Sequence, residues 1–370
     1  MNIVEKTIKT ALSLVILAAF LQTPLAAQQA RTSESDSVSQ TQSSIYPIPI
    51  LFYTPETGTA GGVAALFIYR DSWSPRTSSV TADVIATEKK QIITEISADH
   101  YFSRNRYRLI TDILFQKYPN KFFGIGNNTP ESSEETYTAQ TFYIHATFSA
   151  NVISHFNVGP IVRYDNVAIG ETASPAVLAT GILPGSKGGT SSGLGFVVNW
   201  DSRDNTLAST TGSFYQLKTM FFRSAWGSDY SYDDMQIDAR KFFTPVADHI
   251  IAFQFSGEFM GGIVPFQSLA KFGGSSLLRG YHDGRFRDKN MIALQAEYRI
   301  PVWWRFGLVG FAGIAQVANE IGHFAVDQFH AAGGLGLRFT WNVKERVNIR
   351  VDYGAGNNSS GVYVTVTEAF

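Results

Sequence analysis

The sequence predicts an all-β fold, a transmembrane antiparallel β-barrel of about 16 strands, on three observations. Apolar and polar residues alternate with period two along most of the chain, the connections between alternating segments fall into short and long classes, and an export address precedes them. Period-two alternation puts successive side chains on opposite faces of a strand. It recurs in Leu194–Trp200, in Ile251–Phe259, where phenylalanines oppose Gln254, Ser256 and Glu258, and in Val347–Tyr353, where Asn348, Arg350 and Asp352 form the second face.

In chain order, residues 1–27 place Lys6 and Lys9 before an apolar run from Ala11 to Leu21 and small residues at Ala26 and Ala27, the layout of a cleaved signal peptide. The run is shorter than the roughly 20 residues a spanning helix needs. Residues 28–44 are Ser-, Thr- and Gln-rich with little to bury and read as a disordered linker. The barrel is expected over 45–370. There is no cysteine, which excludes disulfides, cysteine metal sites and a lipidated cysteine. Aromatics make up 14%, charged residues 16%, and the formal net charge is −1, so nothing points to nucleic acid.

Counting from a periplasmic N-terminus, short turns fall on one side, as at 103–105, 151–153 and 244–248, and the long connections near 119–135, 169–191, 261–289 and 318–329 on the other. Outer-membrane barrels have that asymmetry. Tyr298, Trp303, Trp304, Trp341 and Tyr353 near strand ends suit an interfacial aromatic girdle. Residues 361–370 alternate and end on Phe370, the form of strand read by outer-membrane assembly machinery, with Tyr363 and Phe370 as its signal positions.

The most unusual stretch is Lys271-Phe-Gly-Gly-Ser-Ser-Leu-Leu-Arg-Gly-Tyr-His-Asp-Gly-Arg285. Gly273, Gly274, Gly280 and Gly284 permit backbone that other residues avoid. Arg279 at the tip keeps its charge and its planar fork of donors, so it needs an acceptor wherever it lands. Glu297 lies on the polar face of the next strand and is the expected acceptor; the alternatives are a solvated hairpin loop in which Arg279 has no role, and Glu297 and Arg299 as ordinary lumen-facing members of a charge ladder.

Four stretches resemble the barrel of the outer-membrane assembly superfamily, the bacterial surface antigen family that includes BamA and TamA. They are 272–281 with Arg279, Gly280 and Tyr281 at signature positions; Glu297-Tyr-Arg-Ile-Pro301; the turn from Asp201 to Gly212 with Arg203 and Asp204; and the ending Tyr363–Phe370. Weaker likeness extends to Pro47–Gly58 and Phe122–Thr129. The resemblance implies a sixteen-strand barrel whose sixth extracellular loop, 261–289, folds into the lumen and is locked by Arg279. Two departures stand out. Gly313 occupies the position where relatives carry an acidic partner for the loop arginine, and only 28–44 stand between signal and barrel, where relatives have periplasmic POTRA modules.

Other chemistry finds no support in the spacing. The seven histidines form no zinc-type pair, Asp201, Arg203 and Asp204 read as a tight turn with local ion pairs, and Gly193-Leu-Gly195 and Gly333-Gly-Leu-Gly336 read as strand glycines that relieve crowding. A non-enzymatic protein without metal or cofactor is expected, in the outer membrane of a Gram-negative bacterium. Its partners would be outer-membrane lipids, the assembly machinery that inserts it, and unfolded outer-membrane protein clients. The resemblance implies help with insertion or translocation of such proteins; a passive solute channel and a structural surface antigen are the alternatives.

Overall fold

The computed structural model describes residues 43–69, 78–172, 177–343 and 346–370. The predicted signal and residues 28–42 of the predicted linker lie outside them. The strands are β1 (Ser43–Thr54), β2 (Gly58–Tyr69), β3 (Ser78–Thr87), β4 (Ile92–Phe102), β5 (Tyr107–Phe122), β6 (Glu135–Ile153), β7 (Phe156–Thr172), β8 (Gly189–Asp201) and β9 (Gly212–Phe222). They continue as β10 (Tyr232–Val246), β11 (His249–Gly262), β12 (Ala270–Phe272), β13 (Phe286–Asp288), β14 (Asn290–Trp303), β15 (Phe306–Ala318), β16 (His330–Asn342), β17 (Val347–Gly356) and β18 (Ser359–Val366). Sixteen strands close one antiparallel barrel, β1 to β11 followed by β14 to β18, and β12 pairs with β13 in a separate ribbon.

The alternation decides which face meets what. Val63, Val84, Phe115, Val162, Phe253, Leu294 and Leu335 are exposed on the outer wall, while their neighbours in sequence point inward. Such a belt would be an aggregation surface in water. Around a closed barrel it is the surface that meets lipid hydrocarbon. At the periplasmic end, the rings of Trp303, Trp304, Phe306, Phe339 and Trp341 touch in series around the β14–β15 turn, and the Arg305 guanidinium sits 5.2 Å over Trp304. The tryptophans among them, apolar rings with a polar N–H, suit the headgroup level.

Two expectations need correction. The inner face is not uniformly wet. Phe122, Tyr137, Ile161, Met220, Phe222, Tyr232 and Phe266 form one buried cluster, and Phe272, Leu278, Tyr281, Phe286 and Met291 another. Loop side chains enter the barrel and give the inward apolar residues something to pack on. The last strand also ends sooner than the alternation suggests, at Val366 rather than near 369. Thr367 takes a left-handed φ of 70°, which turns the chain off the wall, and Phe370 packs inward with Phe242 and Ala252.

One join in the wall differs from the rest. β1 pairs with β2 from Ser43↔Tyr69 to Thr54↔Gly58, and β17 pairs with β18 from Ile349↔Val366 to Gly356↔Ser359. Between β1 and β18 the register holds a single pair, Tyr53↔Val364. Residues 43–52 of β1 therefore present backbone groups that have no ladder partner on the β18 side.

Candidate functional site

The loop between β11 and β14 leaves the wall at Gly262, forms the β12–β13 ribbon, and carries its tip, residues 273–285, to the inner faces of β14 to β18. Gly273 has φ 117°, and a Cβ there would lie 2.1 Å from the His282 carbonyl oxygen, so only glycine permits the narrow neck of the tip. The Gly274 amide donates to the Tyr281 carbonyl at 2.9 Å and closes it.

Arg279 is 1% exposed. One end of its fork donates to Glu297 on β14 and the other to Asp352 on β17, while its Cζ lies 3.6 Å from the centroid of the Phe311 ring on β15. The sequence reading supplied the first acceptor and missed the second. Around this core, Arg299 Nε donates to Glu297 at 2.7 Å, Arg338 and Arg350 donate to Asp352 at 2.5 and 2.9 Å, and Arg338 Nε donates to Glu368 at 2.8 Å. Asp352 thus takes three guanidinium groups and Glu297 two. Four arginines share three carboxylates inside the barrel, an arrangement stable only while every carboxylate is present, because each charge is desolvated.

Glycines on the wall make the room. Gly334 on β16 leaves space for the Phe311 ring, which would lie 2.5 Å from a Cβ there, and Gly336 leaves space for the Asp352 carboxylate. On β17, Gly354 and Gly356 sit against the Arg279 carbonyl and the Tyr281 ring, so the loop tip docks backbone to backbone. The Gly280 amide donates to Tyr363 Oη at 3.1 Å and Ser359 Oγ donates to the Gly280 carbonyl at 2.7 Å, both on β18. Tyr281 Oη donates to Ala331 O at 3.1 Å. Tyr363 is therefore turned inward onto the loop. At Gly313 a Cβ would approach Gln295 Cβ to 2.8 Å and Leu278 Cδ1 to 3.1 Å. Leu278 fills the place an acid there would need, and Asp352 carries the acceptor from another strand.

A second extracellular segment clasps the same loop. The Gly126 amide donates to Arg287 O at 2.8 Å, and Arg285 donates to Thr129 Oγ1 and O at 2.9 and 2.7 Å. Asn127 receives the Val317 amide at 3.0 Å and donates to Gln328 O at 2.7 Å, and its carbonyl accepts from His330 at 2.8 Å.

At the periplasmic end the 202–211 turn carries the other predicted residues. Arg203 binds Asp201 through two bonds of 2.8 Å and lies 4.5 Å over the Phe214 ring. Gly212 has φ 95° and packs on Ser202 O, where a Cβ would clash. Asp204 does not pair with Arg203. It accepts the Thr210 amide at 2.9 Å, the Thr210 hydroxyl at 2.7 Å and the Thr211 amide at 3.1 Å, and it pairs with Arg346 of the β16–β17 turn.

Partial burial alone would raise the Asp204 pKa; bonds from Thr210, Arg346 and Thr211 outweigh it and hold the carboxyl well below the usual range. A depressed folded-state pKa contributes stability that is present above the unfolded value of about 4 and is lost as pH falls toward the folded one. Amide exchange at Thr210 and Thr211 is expected to accelerate below about pH 4 relative to the β9 interior, corrected for intrinsic rates. Unchanged protection through that range would contradict the assignment.

Residues 79–363 match the Omp85 superfamily domain. Among solved structures, the chain is similar to BamA from Haemophilus ducreyi lacking POTRA domains 1-3, with a TM-score of 0.65 and 14% identity over 89% of this chain and 70% of that one. It is also similar to CdiB from Acinetobacter baumannii, with a TM-score of 0.59 and 11% identity over 88% of this chain and 65% of that one. At these identities the likeness concerns the fold. No match is found among the curated proteins. The match over residues 79–363 takes in the barrel wall from β3 to β18 and the inward loop with it, and the chain belongs to the Omp85 superfamily.

Proposed function

We propose that this outer-membrane barrel assists the insertion or translocation of outer-membrane proteins at the β1–β18 seam. The observation that carries the reading is the single Tyr53↔Val364 pair across a join whose strands are otherwise fully paired on their far sides. An unpaired strand edge offers N–H and C=O groups in register for an incoming strand. In the membrane such groups cost several kcal/mol each if left without partners, which favours recruitment of a strand over idle exposure. The loop pinned by Arg279 would keep the rest of the wall rigid while the seam works. Its packing inside the barrel, with the aromatic cluster around Phe266, favours this reading over an open solute path.

The test is a folding assay with lipid vesicles. An unfolded outer-membrane barrel added to vesicles containing this protein is expected to fold faster, by heat-dependent gel mobility, than with empty vesicles or with vesicles carrying an unrelated porin. Equal rates in all three would overturn the proposal.

A further inference from the structure

A barrel whose seam has one ladder pair needs something else to hold it shut, and the loop tip touches both sides of that seam. On the β18 side the grip is Gly280, bonded to Tyr363 and Ser359. On the β1 side, three residues further along the tip, the Asp283 amide donates to Glu56 Oε1 at 3.0 Å. Glu56 lies in the turn that joins β1 to β2 and is 8% exposed. Its own carbonyl accepts from Gln91 at 3.0 Å, and Lys89 reaches the Pro55 carbonyl, so the turn is braced from the β3–β4 turn as well.

A second contact points the same way. Pro55 of this turn lies against Gly361 of β18, where a Cβ would come within 2.7 Å of Pro55 Cγ. The extracellular ends of the two seam strands therefore meet through a turn, a glycine and the loop tip. Below them, 43–52 has no ladder partner on the β18 side.

We propose that Glu56 latches the seam: by accepting the Asp283 amide hydrogen it ties β1 to the same loop tip that holds β17 and β18, so the loop closes the barrel where strand pairing does not. The proposal rests on the reading of the seam as the working edge and adds how that edge is kept closed. Glu56 is a positioning residue in this scheme. Its side chain touches no client strand, and its effect passes through the loop. The bond needs only an acceptor oxygen, which a glutamine retains and an alanine lacks.

The absence of cysteine from the sequence makes the test direct. Tyr53→Cys and Val364→Cys place one thiol on each side of the single pair, and a short dithiol-reactive cross-linker reads how often the seam is closed in the full chain in vesicles. The paired-cysteine parent is expected to cross-link readily. Adding Glu56→Ala is expected to lower the closed-to-open ratio by about tenfold, the scale of one lost bond to a charged acceptor. Glu56→Gln is expected to recover most of it. Cross-linking of the Glu56→Ala protein at the parent rate would overturn the latch.

Should Glu56→Ala fail to fold, as judged by gel mobility, Ser359→Ala removes one of the two bonds by which Gly280 grips β18, without touching the turn. It too must reduce cross-linking, and an unchanged rate with that variant counts against the latch. Client folding, measured on the same proteins, is a separate readout. Latch-dependent cross-linking without any acceleration of client folding would keep the latch and strike the insertion reading, and the reverse pattern would do the opposite.

Discussion

Asp352→Ala is expected to destabilise the barrel by about 3–5 kcal/mol, the scale observed when one partner of a buried ion pair is removed. Arg279, Arg338 and Arg350 all donate to this carboxylate, and none of the three is more than 5% exposed. Without Asp352, four guanidinium groups share Glu297 and Glu368, and Arg350 keeps only the Ser275 carbonyl among its bonded partners. Asp352→Asn keeps the shape and loses the charge, so it should fall between the variant and the parent. Glu297→Ala, which frees two arginines rather than three, should cost less than Asp352→Ala. Unfolding by denaturant in detergent, followed by tryptophan fluorescence, gives the ranking. Asp233→Ala is the control, since its pair with Arg223 is exposed and worth less than about 1 kcal/mol.

Gly280→Ala is expected to unseat the loop tip. Gly280 has φ 121°, and a Cβ there would lie between 2.8 and 3.0 Å from the nitrogen, Cα and carbonyl carbon of Ala355. Backbone cannot move aside as a flexible side chain can. A side chain at that φ costs about 1–3 kcal/mol, and forced packing adds a similar amount. The tip should withdraw, which breaks the bonds of Gly280 to Tyr363 and Ser359 and drags Arg279 off Asp352. Planar-bilayer recordings should then show larger and more frequent openings than the parent, and protease should cut within 273–285. Gly261→Ala, at a position with nothing within 4 Å, should change neither.

How much of this was legible in the sequence depends on distance along the chain. Period two fixed the inward residues of each strand, so Glu297 and Arg299 were placed on the polar face of β14 and Arg350 and Asp352 on that of β17. Glu297 is legible as an acceptor because it lies eighteen positions from Arg279 on the polar face of the very next strand. Asp352, seventy-three positions away, was on the right face but in an unknown place around the wall. The stagger of sixteen paired strands decides which inward residues meet across the lumen, and no single strand encodes it. The vacancy at Gly313 was visible, yet its cause was not, because Leu278 reaches that spot only through its own left-handed φ of 54°. The inward course of Phe370 was hidden for a similar reason: the alternation runs on past Thr367, and one residue with positive φ ends the strand. Glu56 is not legible as a partner of the loop, since a carboxylate in a turn announces no partner.

If clients are handled at the β1–β18 seam, locking that seam shut must stop their folding. Full-length protein carrying Tyr53→Cys and Val364→Cys would be reconstituted in vesicles, closed with a reducible cross-linker, and assayed for folding of an unfolded outer-membrane barrel before and after reduction. The closed protein is expected to give no acceleration over empty vesicles, and reduction is expected to restore it in full. Acceleration by the locked protein equal to that by the reduced one would contradict the claim and move the activity, whatever it is, away from the seam.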